Sequence, residues 1–383
     1  MIVRHYQSEN WVRVTTEGPL IAEVGAVDGP SEVHEDDHWI APAFWDIQLN
    51  GRWGISFSDP TLTVDQVVKV VRAQAGMGTA RLCPTLITAS RESTSHGLRT
   101  IAAACDLFPD VAKAVVGVHL EGPYISSEDG YRGAHPIDAV RDPDWDQFQT
   151  WQGESGGRVH LMTLAPERPG AIEFIRQAVA EGVVIALGHT AADGPTLRAA
   201  VDAGARLSTH LGNGIAAQLP RHPNPIWQQA ADDRLAASLI ADGHHLDPDV
   251  LRVLVRAKTP GRIILVSDAS PLAGLPPGRH GPWAVDPSGK IVVAGTPYLA
   301  GSNQGLDVGL STLMSVTGLP LDQALDTVTT HPAHLLGHPG PNLAVGQAAN
   351  LVRFQIARDE DSVQIRLRAA CVDGVWTDCP SVD

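Results

Sequence analysis

Several apolar runs in this sequence end in a residue able to hold a metal ion or move a proton. They close as Asp46-Ile47-Gln48-Leu49-Asn50, His119-Leu120-Glu121-Gly122-Pro123, Gly188-His189-Thr190, Thr209-His210-Leu211, Asp242-Gly243-His244-His245 and Ser267-Asp268-Ala269. Taken singly, each has an ordinary explanation. A histidine at a strand end is commonly a hydrogen-bonded core or loop residue, and Glu121 or Asp268 alone can cap a turn or helix. Their coincidence points to chemistry, because charged and imidazole side chains are costly on an apolar rim without partners. Glu121, His189 and His210 supply one carboxylate and two imidazoles. Three such ligands leave one position of a zinc-class ion open to water, which is the pattern of a catalytic rather than a structural site.

Residues so far apart in sequence need a scaffold that brings strand ends together. Eight apolar, largely β-branched runs fall at 43–49, 79–86, 111–120, 158–164, 183–188, 206–211, 235–241 and 262–268. Helical patterns alternate with them, at 64–77, 91–108, 170–181, 195–203, 248–258, 305–317 and 321–330. This alternation predicts an α/β fold, a parallel (β/α)8 TIM-like barrel, in which all C-terminal strand ends meet on one face. Short strands and turns occupy both ends of the chain. The expected division is a small β-sandwich domain from 1–42 plus 340–383 around a barrel of 43–339. A Pro- and Gly-rich insertion at 272–301 is expected to form a hairpin over the mouth of the site.

Composition sets the outer limits. Of 383 residues, 28 are basic and 43 acidic, a net charge of −15 that argues against nucleic acid or an anionic membrane as partner. Mean hydropathy is −0.03 and no run of about 18 apolar residues occurs, so no membrane helix is expected. The polar first residues lack a signal-peptide pattern, and the four cysteines form no CxxC pair. Both features read as a cytoplasmic protein with reduced thiols. No GxxxxGK[ST] phosphate loop is present.

Taken in order, His119-Leu-Glu-Gly-Pro123, Leu187-Gly-His-Thr190, Thr209-His-Leu211, Ala241-Asp-Gly243 with His245, Val266-Ser-Asp268 and Leu299-Ala-Gly-Ser302 carry a resemblance. The chain resembles the N-acetylglucosamine-6-phosphate deacetylases of the amidohydrolase superfamily from about Ala41 to Leu336. The resemblance implies Glu121, His189 and His210 as metal ligands and Asp268 as general base, then general acid. Many amidohydrolases carry a His-x-His pair at the end of the first strand. Gln48 and Asn50 stand there in this chain, and neutral amides are poor ligands, so a single divalent ion is expected. Zinc is the leading candidate, with iron, manganese or cobalt as alternatives. The resemblance further implies His135 on the substrate acyl oxygen, with Gln48 among the substrate-binding residues. It implies Asn213 and the Gly214 N–H near a phosphate, His245 near sugar and phosphate, and Arg221 as a phosphate ligand reaching across a homodimer interface.

Two departures stand out. The run His210-Leu-Gly212-Asn213-Gly214-Ile215 replaces the family's aromatic residue before the asparagine and its Ala-Met after it. His222-Pro223-Asn224 replaces Glu-Pro-Gly after the arginine. The glycines are expected to remove bulk beside the phosphate. The expected reaction is metal-assisted hydrolysis of N-acetylglucosamine 6-phosphate, with Asp268 moving the proton and His135 meeting the oxyanion. The alternatives are a deacylase for another acyl amino sugar, an acyl amino acid or a cyclic amide, and a non-catalytic metal-binding paralogue.

Overall fold

The computed structural model describes residues 1–30, 32–296 and 298–379. Eight consecutive parallel strands form one sheet: β1 (Phe44–Leu49), β2 (Thr79–Ile87), β3 (Val118–Glu121), β4 (Val159–Leu164), β5 (Val184–Leu187), β6 (Leu207–Ser208), β7 (Ala236–Leu239) and β8 (Ile263–Leu265). Backbone bonds from Asn50 N to Ala269 O and from Asp268 N to Gln48 O, both 3.0 Å, join β1 to β8 beyond their regular ends. The sheet is thereby closed into the expected barrel.

The strands are buried on both faces, which is why they read as nearly continuous apolar runs. Ile47, Cys83, Leu161, Ala186, Leu207 and Ile264 come from six of the strands and plug the barrel beneath its rim. Outside, helices close the second layer. Their starts follow local capping chemistry: Thr63 makes a capping box with Gln66, and Ser90, Asp193 and Asp247 each accept a backbone N–H of the first turn.

One expectation is corrected. Residues 111–120 do not form a single strand. Pro109–Ala114 is a helix, and β3 begins only at Val118. Proline at the first helical position and Asp110 in the first turn favour that start, and Val111 is the residue the helix buries.

The terminal segments build a separate seven-stranded, mostly antiparallel sheet from Ile2–His5, Trp11–Glu17, Leu20–Ala26, Trp39–Pro42, Leu351–Arg358, Val363–Val372 and Val375–Asp378. Its second layer comes from helix Leu306–Thr317 rather than another sheet: Ser311 and Ser315 hydroxyls accept N–H groups of Ile365 and Val363. The insertion folds as a three-stranded sheet, Gly278–His280, Trp283–Val285 and Ile291–Val293, around a small apolar core with Leu272 and Ala300. Pro297, within that insertion, lies outside the described residues.

Candidate active site

Glu121 ends β3, while His189, His210 and Asp268 stand just beyond β5, β6 and β8. All four are buried. Oε1 of Glu121 lies 3.2 Å from His189 Nε2 and 2.8 Å from His210 Nε2, and the two ring nitrogens are 3.1 Å apart. His189 Nδ1 is 3.0 Å from the Tyr131 carbonyl oxygen and must donate to it, which leaves a lone pair on Nε2. This is the outer-shell bond that orients a metal-binding histidine. Three electron-pair donors therefore converge with no hydrogen available between the His189 nitrogen and the carboxylate. Their separations suit ligands each about 2 Å from one ion. The donor set fits a metal ion, and among the described residues no other cluster of three such groups occurs.

The carboxylates differ in what surrounds them. Burial opposes ionisation of Glu121, but its close contacts with the His189 and His210 rings hold its carboxyl well below the usual range. Burial and the nearby Glu121 charge push Asp268 up to about 6. Asn50 Nδ2 donates to Asp268 Oδ1 at 2.7 Å, and Gln48 Nε2 reaches the same oxygen at 3.2 Å and Glu121 Oε1 at 3.0 Å. Both amides thus present N–H groups, not lone pairs, to the centre. Oδ2 of Asp268 receives no hydrogen bond from the described residues and remains free for a proton.

His135 completes the group. Its ring packs edge-on against His189, with centroids 4.3 Å apart. The Thr88 backbone N–H points at His135 Nδ1 (3.4 Å), and with the Thr88 hydroxyl 2.8 Å away donating to the same nitrogen, Nδ1 is an acceptor and the ring proton sits on Nε2. Burial pushes the His135 pKa down to about 3, so the ring is a neutral donor at pH 7.

A cavity of about 250 Å3 opens over these residues. Glu121, His135, His189, His210 and Asp268 line it, together with Asn213, Gly214 and His245. Gln48 is not part of the lining and works from behind the two carboxylates. Arg221 is exposed and lies outside the cavity of its own chain. The glycines at 212 and 214 have a backbone cause. Both have positive φ, +99° and +59°, and a Cβ on Gly214 would lie 2.8 Å from His189 Nδ1. Gly214 lets this segment pass close to the His189 ring and Gly212 close to Leu246, beyond any effect on pocket volume.

Sequence reasoning gave no role to four supporting groups, although Asp46 and Asp242 stand in the runs it singled out. The Asp242 carboxylate accepts from His244 N, His245 N, His245 Nδ1 and Ser302 Oγ, at 2.8–2.9 Å. Asp46, fully buried, accepts from the backbone N–H and hydroxyl of Ser267, directly before Asp268. The Ser238 hydroxyl accepts from His210 N at 2.7 Å. Glu167 binds Thr190 Oγ1 and Ala191 N, beside His189. A carboxylate within the apolar run of β1 was a signal for Asp46. Ser238 offered none, being one of many serines.

A Glu-His-His group able to hold a metal ion, facing a carboxylate with one oxygen free on the C-terminal rim of a (β/α)8 barrel, is an arrangement suited to hydrolysis. Residues 39–378 match the Amidohydrolase family, and the chain belongs to it. Within that family it is similar to N-acetylglucosamine-6-phosphate deacetylases. The enzyme of that name from Bos taurus is 40% identical over 351 residues, spanning 88% of this chain and 83% of the bovine one. The crystal structure of N-acetyl-D-glucosamine-6-phosphate deacetylase from Mycobacterium smegmatis superposes with a TM-score of 0.84 at 30% identity, covering 98% of this chain and 100% of that one. An aspartate-to-alanine mutant of the M. smegmatis enzyme, in complex with N-acetyl-D-glucosamine-6-phosphate, gives a TM-score of 0.82 at 32% identity, covering 96% and 94%.

Proposed function

We propose that this protein hydrolyses N-acetylglucosamine 6-phosphate to glucosamine 6-phosphate and acetate. The observation that carries the reading is the convergence of Glu121, His189 and His210 opposite Asp268, in a chain 40% identical to an enzyme of that name. One divalent ion, with zinc as leading candidate, would be held by Glu121, His189 and His210, and when bound it supplies Lewis acidity towards water and the amide carbonyl. Asp268 takes the proton of the attacking water on Oδ2, while Asn50 and Gln48 hold Oδ1. The Nε2–H of His135 donates to the carbonyl oxygen as negative charge grows there. Asp268 then delivers the proton to the departing amine, which is a poor leaving group unprotonated.

Substrate positioning falls to the other lining residues. Asn213 Nδ2 is buried without a partner, so it has a donor to offer the phosphate beside the Gly214 N–H, and His245 would face the sugar from the neighbouring strand end. Among the described residues no lysine or arginine lines the cavity. The exposed Arg221 of a second copy, in a homodimer, would supply the missing cation through a planar fork of donors. The four cysteines are free, which supports a reducing compartment such as the cytoplasm. Among the described residues no helix is long and apolar enough to cross a membrane.

The absence of a cation in the chain's own cavity favours one rival reading, an unphosphorylated acyl amino sugar as substrate. The deciding experiment measures acetate release from N-acetylglucosamine with and without its 6-phosphate, in protein reconstituted with each of zinc, iron, manganese and cobalt. A strong preference for the phosphorylated sugar supports the proposal. Equal turnover, or none with any metal, overturns it.

A further inference from the structure

Ile87 is an apolar residue at a rim where most strand ends are polar. Strand β2 pairs with β3 in the register Thr85–His119, Leu86–Leu120 and Ile87–Glu121. Paired residues on adjacent strands point to the same face of a sheet, so Ile87 projects into the barrel mouth beside Glu121. The alternation along β2 agrees. Cys83 lies in the barrel plug and Thr85 Oγ1 accepts from Leu49 N at 3.0 Å, while Leu86 turns outward to the helix layer, where a Cβ on Gly97 would lie 2.7 Å from its Cδ2. The backbone of Ile87 is pinned. Its N–H donates to Ser58 Oγ at 2.9 Å, and its carbonyl accepts from the same hydroxyl at 3.5 Å. Thr88, next in the chain, turns its N–H and its hydroxyl to His135 Nδ1. Ile87 is thus fixed one residue from the anchor of the ring assigned above to the acyl oxygen.

Strand order gives the direction of the acyl chain. In the closed eight-stranded ring, β2 and β6 stand four strands apart and face each other across the mouth. Asn213, Gly214 and His245, assigned to phosphate and sugar, follow β6 and β7. Besides its oxygen, the acyl carbon carries the amide nitrogen and the methyl group. The nitrogen leads to the sugar, on the side of β6 and β7, so the methyl is directed towards β2. A second and larger cavity, about 1100 Å3, begins there. Ile87, Gly133, Ala134, His135, Trp283 and Tyr298 line both cavities and form the partition between them. Among these six, Ile87 is the one aliphatic side chain larger than alanine.

We infer that Ile87 sets the length of the acyl chain this enzyme accepts. Its side chain packs on the methyl group of the substrate and closes the way into the larger cavity, so the two-carbon acyl group is favoured over longer ones. The inference rests on the deacetylase reading above and adds to it the residue that selects the acyl group.

The test compares kcat/KM for glucosamine 6-phosphate bearing N-acetyl, N-propanoyl or N-butanoyl groups. One methylene in a closed apolar pocket is worth about 10- to 200-fold, so the metal-loaded wild type should prefer acetyl to butanoyl by about 100-fold or more. Ile87→Ala opens the partition and should reduce that preference to about 10-fold or less, with a gain on butanoyl as well as a loss on acetyl. Ile87→Val, one methylene smaller, should reduce it by about 3-fold or more, and decides alone should the alanine variant not fold. Ile240 lines the catalytic cavity at the end of β7 and does not line the larger one. Ile240→Val should therefore leave the preference within about 3-fold of wild type. Equal turnover of acetyl and butanoyl by the wild type overturns this inference and leaves the deacetylase reading standing. So does a preference that every folded Ile87 variant retains, or one that Ile240→Val lowers as much as Ile87→Val. Failure of the metal-loaded wild type to hydrolyse the acetyl substrate overturns both.

Discussion

Replacing Asp242 by Asn tests whether His245 is set as an acceptor towards the substrate. Oδ1 of Asp242 takes the two backbone N–H groups of His244 and His245, and Oδ2 takes His245 Nδ1 and Ser302 Oγ. Burial opposes the ionised form, but the hydrogen bonds it accepts, first from the His245 ring, hold the Asp242 carboxyl well below the usual range. In Asp242→Asn, Oδ1 keeps the backbone contacts and an NH2 group replaces Oδ2. The Ser302 hydroxyl can rotate to accept from it. His245 Nδ1 must also become an acceptor, so its proton moves to Nε2. Two charge-assisted bonds, roughly 1.5–3 kcal/mol each, become two neutral ones of roughly 0.5–1.5 kcal/mol, so the loss in stability is about 2–3 kcal/mol. A depressed carboxyl stabilises above its unfolded pKa and loses that contribution as pH falls through the folded value. The gap between wild type and variant should therefore close in acid. At the cavity, Nε2 changes from acceptor to donor against a substrate hydroxyl. An unmet pair of about 1–3 kcal/mol raises KM about 5- to 150-fold, while kcat changes less. The assay is steady-state acetate release together with 15N NMR of the His245 ring. An unchanged KM with the ring proton on Nε2 would refute the reasoning.

Asp268→Asn should lower kcat by about 10^2- to 10^4-fold with bound metal unchanged by elemental analysis, because it removes the proton carrier and no ligand. Glu121→Gln should lose the ion itself. In wild type, chelation should lower Tm, since a ligand at 100 times its Kd stabilises by about 2.7 kcal/mol. Asp268 must be ionised to act as base, so kcat/KM should fall as pH drops through its pKa. That pKa is about 6 without an ion, and a bound cation moves the limb lower. A limb rising instead towards acid pH would exclude Asp268 as the base.

The barrel was legible because buried parallel strands write themselves as apolar runs, and a rim residue interrupts such a run visibly. Glu121, His189, His210 and Asp268 could be read this way because each follows its run directly. The 111–120 segment was misread because a six-residue helix with a single buried valine, Val111, has too few turns to show its period. Helix Pro225–Ala231 left a signal that went unread, since Asn224 before a proline caps the N–H groups of Ile226 and Trp227. The Tyr131 carbonyl beside His189 left no signal at all. Any residue type has that oxygen, and only the tertiary path of the loop brings it there.

The same limit explains how the site is held. His189, His210 and Asp268 all have positive φ, at +50°, +30° and +46°, a conformation that costs a non-glycine residue about 1–3 kcal/mol. Glycine would relieve that cost and remove the side chain that does the chemistry. The strain must therefore be overcome by neighbours, and the bonds are visible. His189 O accepts from Ser126 N at 2.9 Å, His210 N donates to Ser238 Oγ, and Asp268 is bracketed by Gln48 O and Ser302 N. Each anchor comes from a different part of the rim than the residue it holds. Local sequence can name the reactive side chains, but their directions are a property of the closed barrel. Weakening any one anchor should thus misplace a reactive group without touching it.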